Sequence, residues 1–242
     1  MSQLPRFFYD GPMAEKSTVS LDADTAKHIW QVLRMQSDDE VILTDGNGTI
    51  AEGNIHTAER HKCAVTIEKV IFHPRQGKIL HLCVGFTKNN SRNEWLLEKA
   101  TELGVGSIIP ISAARSEKTH VRHDRWQKIL QSAILQSKQY YVPHLSEITQ
   151  LQKALDRYNN MPQKFVAHCI DDKNKRPFAE MLKPTSDTVL LIGPEGDFTQ
   201  EEVNLCKAHG FTPVSLGTQR LRTETAAIAA AAYFNVVYDG KN

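Results

Sequence analysis

The chain has 242 residues, of which 40% are hydrophobic and 24% are charged, and its formal net charge is +1. This composition excludes a disordered chain and suits one large or two modest globular domains. The longest apolar runs fall short of the roughly 20 residues that cross a bilayer, and the amino end lacks the basic-then-apolar pattern of a secretion signal, so we expect a cytoplasmic protein without a membrane partner.

The first 72 residues predict short strands interrupted by one helix. The stretch Asp45–Gly48 supplies a hairpin turn between two alternating runs, because Asp, Asn and Gly tolerate positive φ angles. The helix begins at an aspartate N-cap and places Ile29, Val32 and Leu33 at the spacing of one helical face. We expect residues 1–72 to form a small β-barrel-like domain.

Residues 73–242 alternate strands with helices. Two capping boxes indicate helix starts, one at Ser91 with Glu94 and one at Thr199 with Glu202. The strand candidates are nearly continuous apolar runs, as expected when both faces of a parallel sheet are covered. The sequence therefore predicts an α/β domain with a parallel sheet. Its candidate strands are residues 78–87, 106–114, 164–169, 188–193 and 212–217.

The cysteines and histidines indicate neither a disulfide framework nor a metal centre. The four cysteines are scattered and form no C-x-x-C pair, which is typical of buried thiols in a reducing compartment. The close histidine pair, His120 and His123, stands on a basic stretch without the cysteines or carboxylates that would complete a site. We therefore expect no metal.

The middle of the chain is basic. Residues 1–72 carry 7 Lys/Arg against 11 Asp/Glu, whereas residues 73–160 carry 13 against 7. The cluster over residues 114–128 holds five Lys/Arg beside histidines and a tryptophan, a composition that attracts a phosphate backbone. A solvated face followed by a helix start explains the same cluster equally well.

Two motifs follow neighbouring strand candidates near the carboxyl end. Gly193-Pro194-Glu195-Gly196 follows one strand and Leu216-Gly217 ends the next, where an open α/β sheet binds its ligands. The first loop could hold a flat ring, with unpaired backbone groups bonding the edge of the ring and apolar residues covering its faces. An ordinary strand-to-helix turn capped by Thr199 is the alternative.

The stretch "LRTETAAIAA" predicts a helix with little side-chain bulk. Thr223 stands where an N-cap belongs, and free N–H groups beside Arg222 would bind an anion or a polar substrate edge. The alanines suit a tightly packed core helix equally. On the earlier helix, Glu94, Glu98 and Glu102 repeat at intervals of four and need basic neighbours or solvent to offset their repulsion.

The motifs "RFF", "HIWQVLR", "EKATELGV", "IIPISAARS", "LLIGPEG" and "LGTQRLRTETAAIAA" together resemble the RsmE family of ribosomal RNA small-subunit methyltransferases, within the SPOUT superfamily. The resemblance runs from residue 6 to about residue 235. It implies a PUA-like RNA-binding barrel over residues 1–72 and, over residues 73–242, a SPOUT methyltransferase domain with a trefoil knot. It also implies a homodimer and methylation of N3 of one uridine in 16S ribosomal RNA.

The resemblance further implies S-adenosylmethionine as the cofactor, held by three loops. One loop lies near His168, one spans residues 192–196 and one spans residues 216–226. The implied cofactor-binding residues are His168, Ile192, Gly193, Pro194, Glu195, Gly196, Leu216, Gly217, Leu221, Arg222, Thr225 and Ala226.

For catalysis, we expect Arg222 to hold the uracil edge and to stabilise negative charge on its carbonyl oxygens. Glu102, or else Glu98, would orient that arginine or accept the imide proton. Five arginines would bind RNA phosphates and position the substrate. They are Arg6, Arg34, Arg115, Arg122 and Arg125.

The sequence departs from the family pattern at two places. Asp197 replaces a glycine after "GPEG", and Leu135, Gln136 and Gln139 replace a Glu-Gln pair followed by Arg. Both departures affect expected substrate contacts more than the cofactor motif. Two other functions remain open: a SPOUT methyltransferase for a different RNA, and a non-catalytic RNA-binding or ribosome-assembly factor.

Overall fold

The structure is a computed structural model that describes residues 4–117 and 122–239. The described chain forms two compact units. The first comprises the residues up to Arg75 together with Ile134–Val142, and the second comprises the remaining residues. The predicted boundary between residues 72 and 73 stays a prediction. Among the described residues, no helix is both long and apolar enough to cross a membrane.

Thirteen strands and seven helices make up the described chain. The strands are β1 (Arg6–Phe8), β2 (Thr18–Ser20), β3 (Glu40–Thr44), β4 (Thr49–Glu59), β5 (Lys62–Phe72), β6 (Leu80–Val84), β7 (Ser107–Ser112), β8 (His144–Leu145), β9 (Thr149–Gln150), β10 (Gln163–Ala167), β11 (Arg176–Pro177), β12 (Thr188–Ile192) and β13 (Thr212–Ser215). The helices are α1 (Ala23–Lys27), which continues as a π-helix over His28–Leu33, α2 (Asn90–Glu102), α3 (His123–Ser137), α4 (Leu151–Arg157), α5 (Phe178–Met181), α6 (Gln200–Ala208) and α7 (Thr223–Asp239).

The first unit is built on a five-stranded sheet in the order β1-β3-β4-β5-β2. The pairs are antiparallel except that β1 runs parallel to β3. The predicted hairpin between β3 and β4 is confirmed. Its turn is fixed by Asp45, whose Oδ1 accepts hydrogen bonds from the backbone N–H groups of Asn47 (2.7 Å) and Thr49 (3.0 Å). Alternate residues of the long strands, such as Val41, Leu43 and Ile55, fill the core of this unit.

The predicted apolar face of the first helix is wrong in part. Ile29 is fully buried, but Val32 is 65% exposed and Leu33 is also exposed. The reason is that the helix widens to a π-helix, in which the N–H of Arg34 bonds back five residues to the carbonyl of Ile29. The larger number of residues per turn rotates Val32, three residues on, away from the face that Ile29 occupies.

The second unit is built on an eight-stranded sheet in which every pairing is parallel. Its order is β11-β13-β10-β12-β6-β7-β8, with β9 also paired to β7. The predicted fold class, α/β with a parallel sheet, is confirmed. The carboxyl ends of β13, β10, β12 and β6 therefore lie side by side, although these strands are far apart in the sequence. The trefoil knot stays a prediction.

The helix starts of this unit are set by short polar side chains. The Thr199 and Glu202 capping box at α6 is confirmed. The box predicted at Ser91 is wrong, because Asn89 caps α2 and its side chain accepts hydrogen bonds from the N–H groups of Ser91 and Arg92. Asn is as good an N-cap as Ser, and here it lies in the extended conformation that a cap requires.

Helices α2 and α7 pack side by side. The Asn235 amide donates a 2.8 Å hydrogen bond to the carbonyl of Leu103, just past the end of α2. The alanines on the buried side of α7 leave room for this approach, so the helix does serve as a packed core element. They are Ala226, Ala227, Ala230 and Ala231.

Candidate cofactor site

A cavity of about 640 Å³ opens at the carboxyl ends of β10, β12 and β13. Its wall combines the loops that follow these three strands, the start of α7 and one side chain from α2. The wall residues include ten of the twelve cofactor residues expected from the resemblance: His168, Ile192, Gly193, Pro194, Glu195, Leu216, Gly217, Leu221, Arg222 and Ala226.

The other two expected cofactor residues, Gly196 and Thr225, lie outside this wall. The Gly196 carbonyl accepts a 3.0 Å hydrogen bond from the Arg115 guanidinium, and an added Cβ at Gly196 would stand 2.9 Å from the Arg115 Cβ. Thr225 is exposed on α7, on a different face from Thr223 and Ala226, which line the cavity. Helical geometry separates these side chains even though they are neighbours in the sequence.

The loop after β12 rests on a glycine that the sequence analysis did not single out. The Gly85 N–H donates a 2.9 Å hydrogen bond to the Ile192 carbonyl. A Cβ at Gly85 would come within 2.5 Å of the backbone nitrogen of Pro194. Only glycine therefore permits this approach between the end of β6 and the loop. Its position directly after an apolar strand was the one available signal.

The start of α7 is bonded to the same loop. The Thr223 hydroxyl donates a 3.0 Å hydrogen bond to the Gly193 carbonyl, and both groups are buried. The expected N-cap role of Thr223 is wrong, because Thr223 is the first helical residue and the Ala226 N–H bonds to the carbonyl of Arg222. Arg222 thus occupies the cap position, and its side chain lies in the cavity wall.

An arginine that the sequence analysis gave no role in the site joins two of these loops from α2. The guanidinium of Arg92 lies 2.7 Å from Glu195 Oε1 and 3.7 Å from Glu224 Oε1. Glu224 is only 7% exposed, and its second carboxylate oxygen has no hydrogen-bond partner among the described residues. Arg92 is therefore the cation that compensates a buried carboxylate and also holds the loop after β12.

His168 and Asp197 form the side of the cavity near β10. His168 is 8% exposed and lines the cavity, yet neither ring nitrogen has a partner in the described chain. Burial, together with the positive charge of Lys175, lowers the pKa of His168. The Asp197 carboxylate accepts a 2.7 Å hydrogen bond from the Cys169 N–H, which joins the loops after β10 and β12.

The expected acid-base residue Glu102 lies outside the cavity wall. It stands in the last turn of α2, and Lys99 Nζ bonds both Glu102 and Glu98 at 2.8 Å. Glu94 is similarly engaged, since its two carboxylate oxygens bond the Arg125 guanidinium at 2.6 and 2.7 Å, an interaction that lowers the pKa of Glu94. Ion pairs along and beside α2 thus offset the repulsion that the spacing predicted.

The five arginines expected to bind RNA occupy different environments. Arg115 and Arg125 are bonded to Gly196 and Glu94, as described above. Arg6 donates a 2.9 Å hydrogen bond to the Lys138 carbonyl and lies over the ring of Tyr140. The structure leaves Arg34 and Arg122 exposed, and Arg34 has a positive φ of 53°. Arg115 and Arg125 are exposed as well, but their guanidinium groups are hydrogen-bonded.

The remaining expectations fall elsewhere in the chain. Leu135, Gln136 and Gln139 belong to the segment Ile134–Val142, which packs with the first unit. His120 lies outside the described residues. Its neighbour His123 stands 4.0 Å from Glu147, and no group of three potential metal ligands occurs among the described residues.

In this protein the strand-end loops of a parallel α/β sheet enclose a cavity. This arrangement is typical of α/β proteins that bind a nucleotide-like ligand at the carboxyl edge of the sheet. Residues 75–235 match the family model described as an RNA methyltransferase domain, and residues 21–68 match the RNA methyltransferase PUA domain. The chain belongs to this family of RNA methyltransferases.

Its relatives carry one name repeatedly. The "Ribosomal RNA small subunit methyltransferase E" of Bacillus subtilis is 29% identical over 228 residues, which cover 89% of each chain. A probable rRNA-methyltransferase from Porphyromonas gingivalis superposes with a TM-score of 0.91 at 31% identity, over 99% of this chain and 100% of the other. A ribosomal RNA small subunit methyltransferase E from Neisseria gonorrhoeae, solved bound to S-adenosyl methionine, gives 0.84 at 29% identity over 98% of both chains. The resemblance to the RsmE family is confirmed.

Proposed function

We propose that this chain transfers a methyl group from S-adenosylmethionine to N3 of a uridine in 16S ribosomal RNA of the small ribosomal subunit. The observation that carries the proposal is the cavity at the strand ends, whose wall includes most of the residues expected from the family motifs. The relative from Neisseria gonorrhoeae, which aligns over nearly the whole chain, was solved with S-adenosyl methionine bound.

The residues of the cavity fit this cofactor. A cavity of about 640 Å³ lies within the range of about 300–1,000 Å³ for small-molecule sites. The wall offers backbone groups of the loops at Ile192–Glu195 and Leu216–Gly217 for the edge of an adenine, with Ala226 beside them. The buried imidazole of His168 has no hydrogen-bond partner among the described residues at either ring nitrogen. A polar atom of the ligand would supply the missing hydrogen bond.

S-adenosylmethionine, when bound, would supply a methyl group on a sulfonium; transfer releases the neutral thioether S-adenosylhomocysteine, and the N3 proton of the uracil passes to water. The protein must then hold the acceptor nitrogen in line and stabilise the charge that forms on the uracil. Arg222 is suited to this, because it lies in the cavity wall at the start of α7 and no ion pair or side-chain hydrogen bond engages it among the described residues. Glu102 does not enter the proposal, since it lies outside the wall and is bonded to Lys99.

Exposed arginines of the two units would contact the RNA. Arg34 of the PUA-like unit and Arg122 at the start of α3 are exposed and would contact phosphates without reading sequence. We also propose a homodimer formed through α2 and α7, since these helices expose the apolar side chains Trp95, Tyr233 and Val236. A ribosomal RNA substrate implies a cytoplasmic enzyme.

The test is methylation of 16S ribosomal RNA, free and within small subunits from cells that lack this chain, with S-adenosylmethionine carrying a labelled methyl group. Mass spectrometry of the nucleosides should find labelled 3-methyluridine at a single position. The Arg222→Ala variant should lose turnover by about 10²–10³-fold, the usual effect of removing one stabilising donor, while its affinity for the cofactor stays close to that of the parent. Label on a base other than uridine would overturn the proposal. So would the absence of label in the RNA if the chain binds the cofactor.

A further inference from the structure

The cavity wall contains two carboxylates, of which only one is in an ion pair. Glu195 is paired with Arg92 at 2.7 Å. Asp197 also lines the cavity, but among the described residues its carboxylate has no cationic partner and bonds only the Cys169 N–H. A carboxylate in a partly enclosed site gains from a positive charge nearby. The unpaired state of Asp197 therefore points to a cationic ligand group.

The backbone conformation and one hydrogen bond hold the Asp197 side chain at the wall. Its backbone has a positive φ of 61°, a conformation that Asp and Asn adopt more readily than most residues. The Oδ2 atom accepts the 2.7 Å hydrogen bond from Cys169, and Oδ1 would lie 3.0 Å from a Cβ added at Gly193. The carboxylate is thus fixed against the loop that follows β10. An asparagine could keep this arrangement and lose only the charge.

No Lys or Arg among the described residues forms an ion pair with Asp197, although Lys175, Arg220 and Arg222 also line the cavity. Burial lowers the pKa of His168, on the loop after β10, which favours its neutral form. On the same loop, Lys175 Nζ is bonded to the His168 carbonyl at 2.9 Å. Asp172 is paired with Lys207 of α6 at 2.7 Å. Arg222 lines the cavity from the start of α7.

We propose that Asp197 is a specificity residue that binds the positively charged methionine portion of the donor, either its ammonium or its sulfonium group. The inference rests on the proposed function, because it needs the donor to occupy this cavity. It goes beyond that function by assigning the cationic part of the ligand to one carboxylate, at a position where the family pattern has glycine.

The experiment is calorimetric titration of the full chain and of Asp197→Asn with three ligands. S-adenosylmethionine carries the ammonium and the sulfonium, S-adenosylhomocysteine carries the ammonium alone, and methylthioadenosine carries neither. The variant should bind S-adenosylmethionine about five- to tenfold more weakly, as for one partly exposed charge pair, and methylthioadenosine within about twofold of the parent. An equal loss for S-adenosylhomocysteine assigns the ammonium, and no loss for it assigns the sulfonium.

Asp171→Asn is the matched control, since Asp171 is exposed and lies outside the cavity wall. It should leave all three affinities unchanged. An Asp197→Asn variant with unchanged S-adenosylmethionine affinity, or with methylthioadenosine weakened to the same degree, would overturn the inference. Thermal unfolding checks that the variant is folded, and Asp197→Ser replaces it if it is not. If the parent chain binds no S-adenosylmethionine, the proposed function itself fails.

Discussion

Replacing Gly85 with alanine should displace the cofactor loop, although Gly85 is not itself a residue of the cavity wall. The new Cβ would stand 2.5 Å from the Pro194 nitrogen, 2.7 Å from its Cα and 2.8 Å from its Cδ, whereas ordinary contact begins at 3.4 Å. Because nitrogen and Cα belong to the backbone, no rotamer change relieves the overlap. The loop must therefore move by about 0.6–0.9 Å.

Such overpacking in a closely packed interior costs about 1–3 kcal/mol, which lowers the melting temperature of a chain of this size by about 2–12 °C. The affinity for the cofactor should fall more than the stability does, because the displaced Pro194 belongs to the cavity wall. We expect the dissociation constant for S-adenosylmethionine to rise at least about tenfold, measured by calorimetric titration.

Gly77→Ala is the control for Gly85→Ala. Gly77 precedes β6 and has no atom within 4 Å of an added Cβ, but its φ is +76°, so alanine there costs about 1 kcal/mol of stability through backbone strain alone. This variant should melt slightly lower and bind the cofactor normally. If Gly85→Ala bound S-adenosylmethionine as the parent does and melted no lower than Gly77→Ala, the reasoning about the loop would be refuted.

Three further predictions concern the same wall. Thr223→Val should cost about 1–3 kcal/mol of stability, because the buried Gly193 carbonyl loses its donor, whereas Thr223→Ser should retain it; equal melting temperatures for the two variants would contradict this. Arg92→Met should lower the free energy of unfolding in urea by about 1–3 kcal/mol, since the buried Glu224 carboxylate loses its cation. Adding Glu224→Gln should recover part of the loss. A double variant no more stable than Arg92→Met would contradict this prediction. Burial lowers the pKa of His168 in the folded chain below the ordinary 6.5, so the unfolded chain takes up a proton first as the pH falls. Stability should therefore drop below about pH 6.5 and level off once the folded histidine also protonates, and a melting curve of His168→Gln that keeps the same drop would contradict the assignment.

The local features of this fold were predictable, and the reason is that their signals are local. The hairpin turn at Asp45 and the capping box at Thr199 each depend on side chains bonding to backbone groups within a few residues. Five of the eight strands of the parallel sheet were predicted because continuous apolar runs mark them, whereas the two-residue strands β8, β9 and β11 carry no such run. The family motifs then predicted that the loops at Gly193 and Leu216 bind the cofactor.

The features that the sequence did not predict depend on strand order and on competition between groups. Gly85 and Arg92 enter the site because β6 lies beside β12, more than a hundred residues later in the chain. Arg115 and Arg125 looked free to bind RNA, but carbonyl and carboxylate groups brought near by folding engage both of them. Val32 was misassigned because the amphipathic pattern assumes 3.6 residues per turn, which a π-helix does not keep.

The account depends most on a single claim, that the loops after β10, β12 and β13 together hold S-adenosylmethionine. A crystal structure of the chain grown with S-adenosylmethionine measures this directly. It should show the adenosine against residues 192–196 and 216–226, with Arg222 beside the methyl group and the donor's positive charge toward Asp197. Density for the ligand outside these loops, or loops rearranged so that the cavity is closed to it, would contradict the claim.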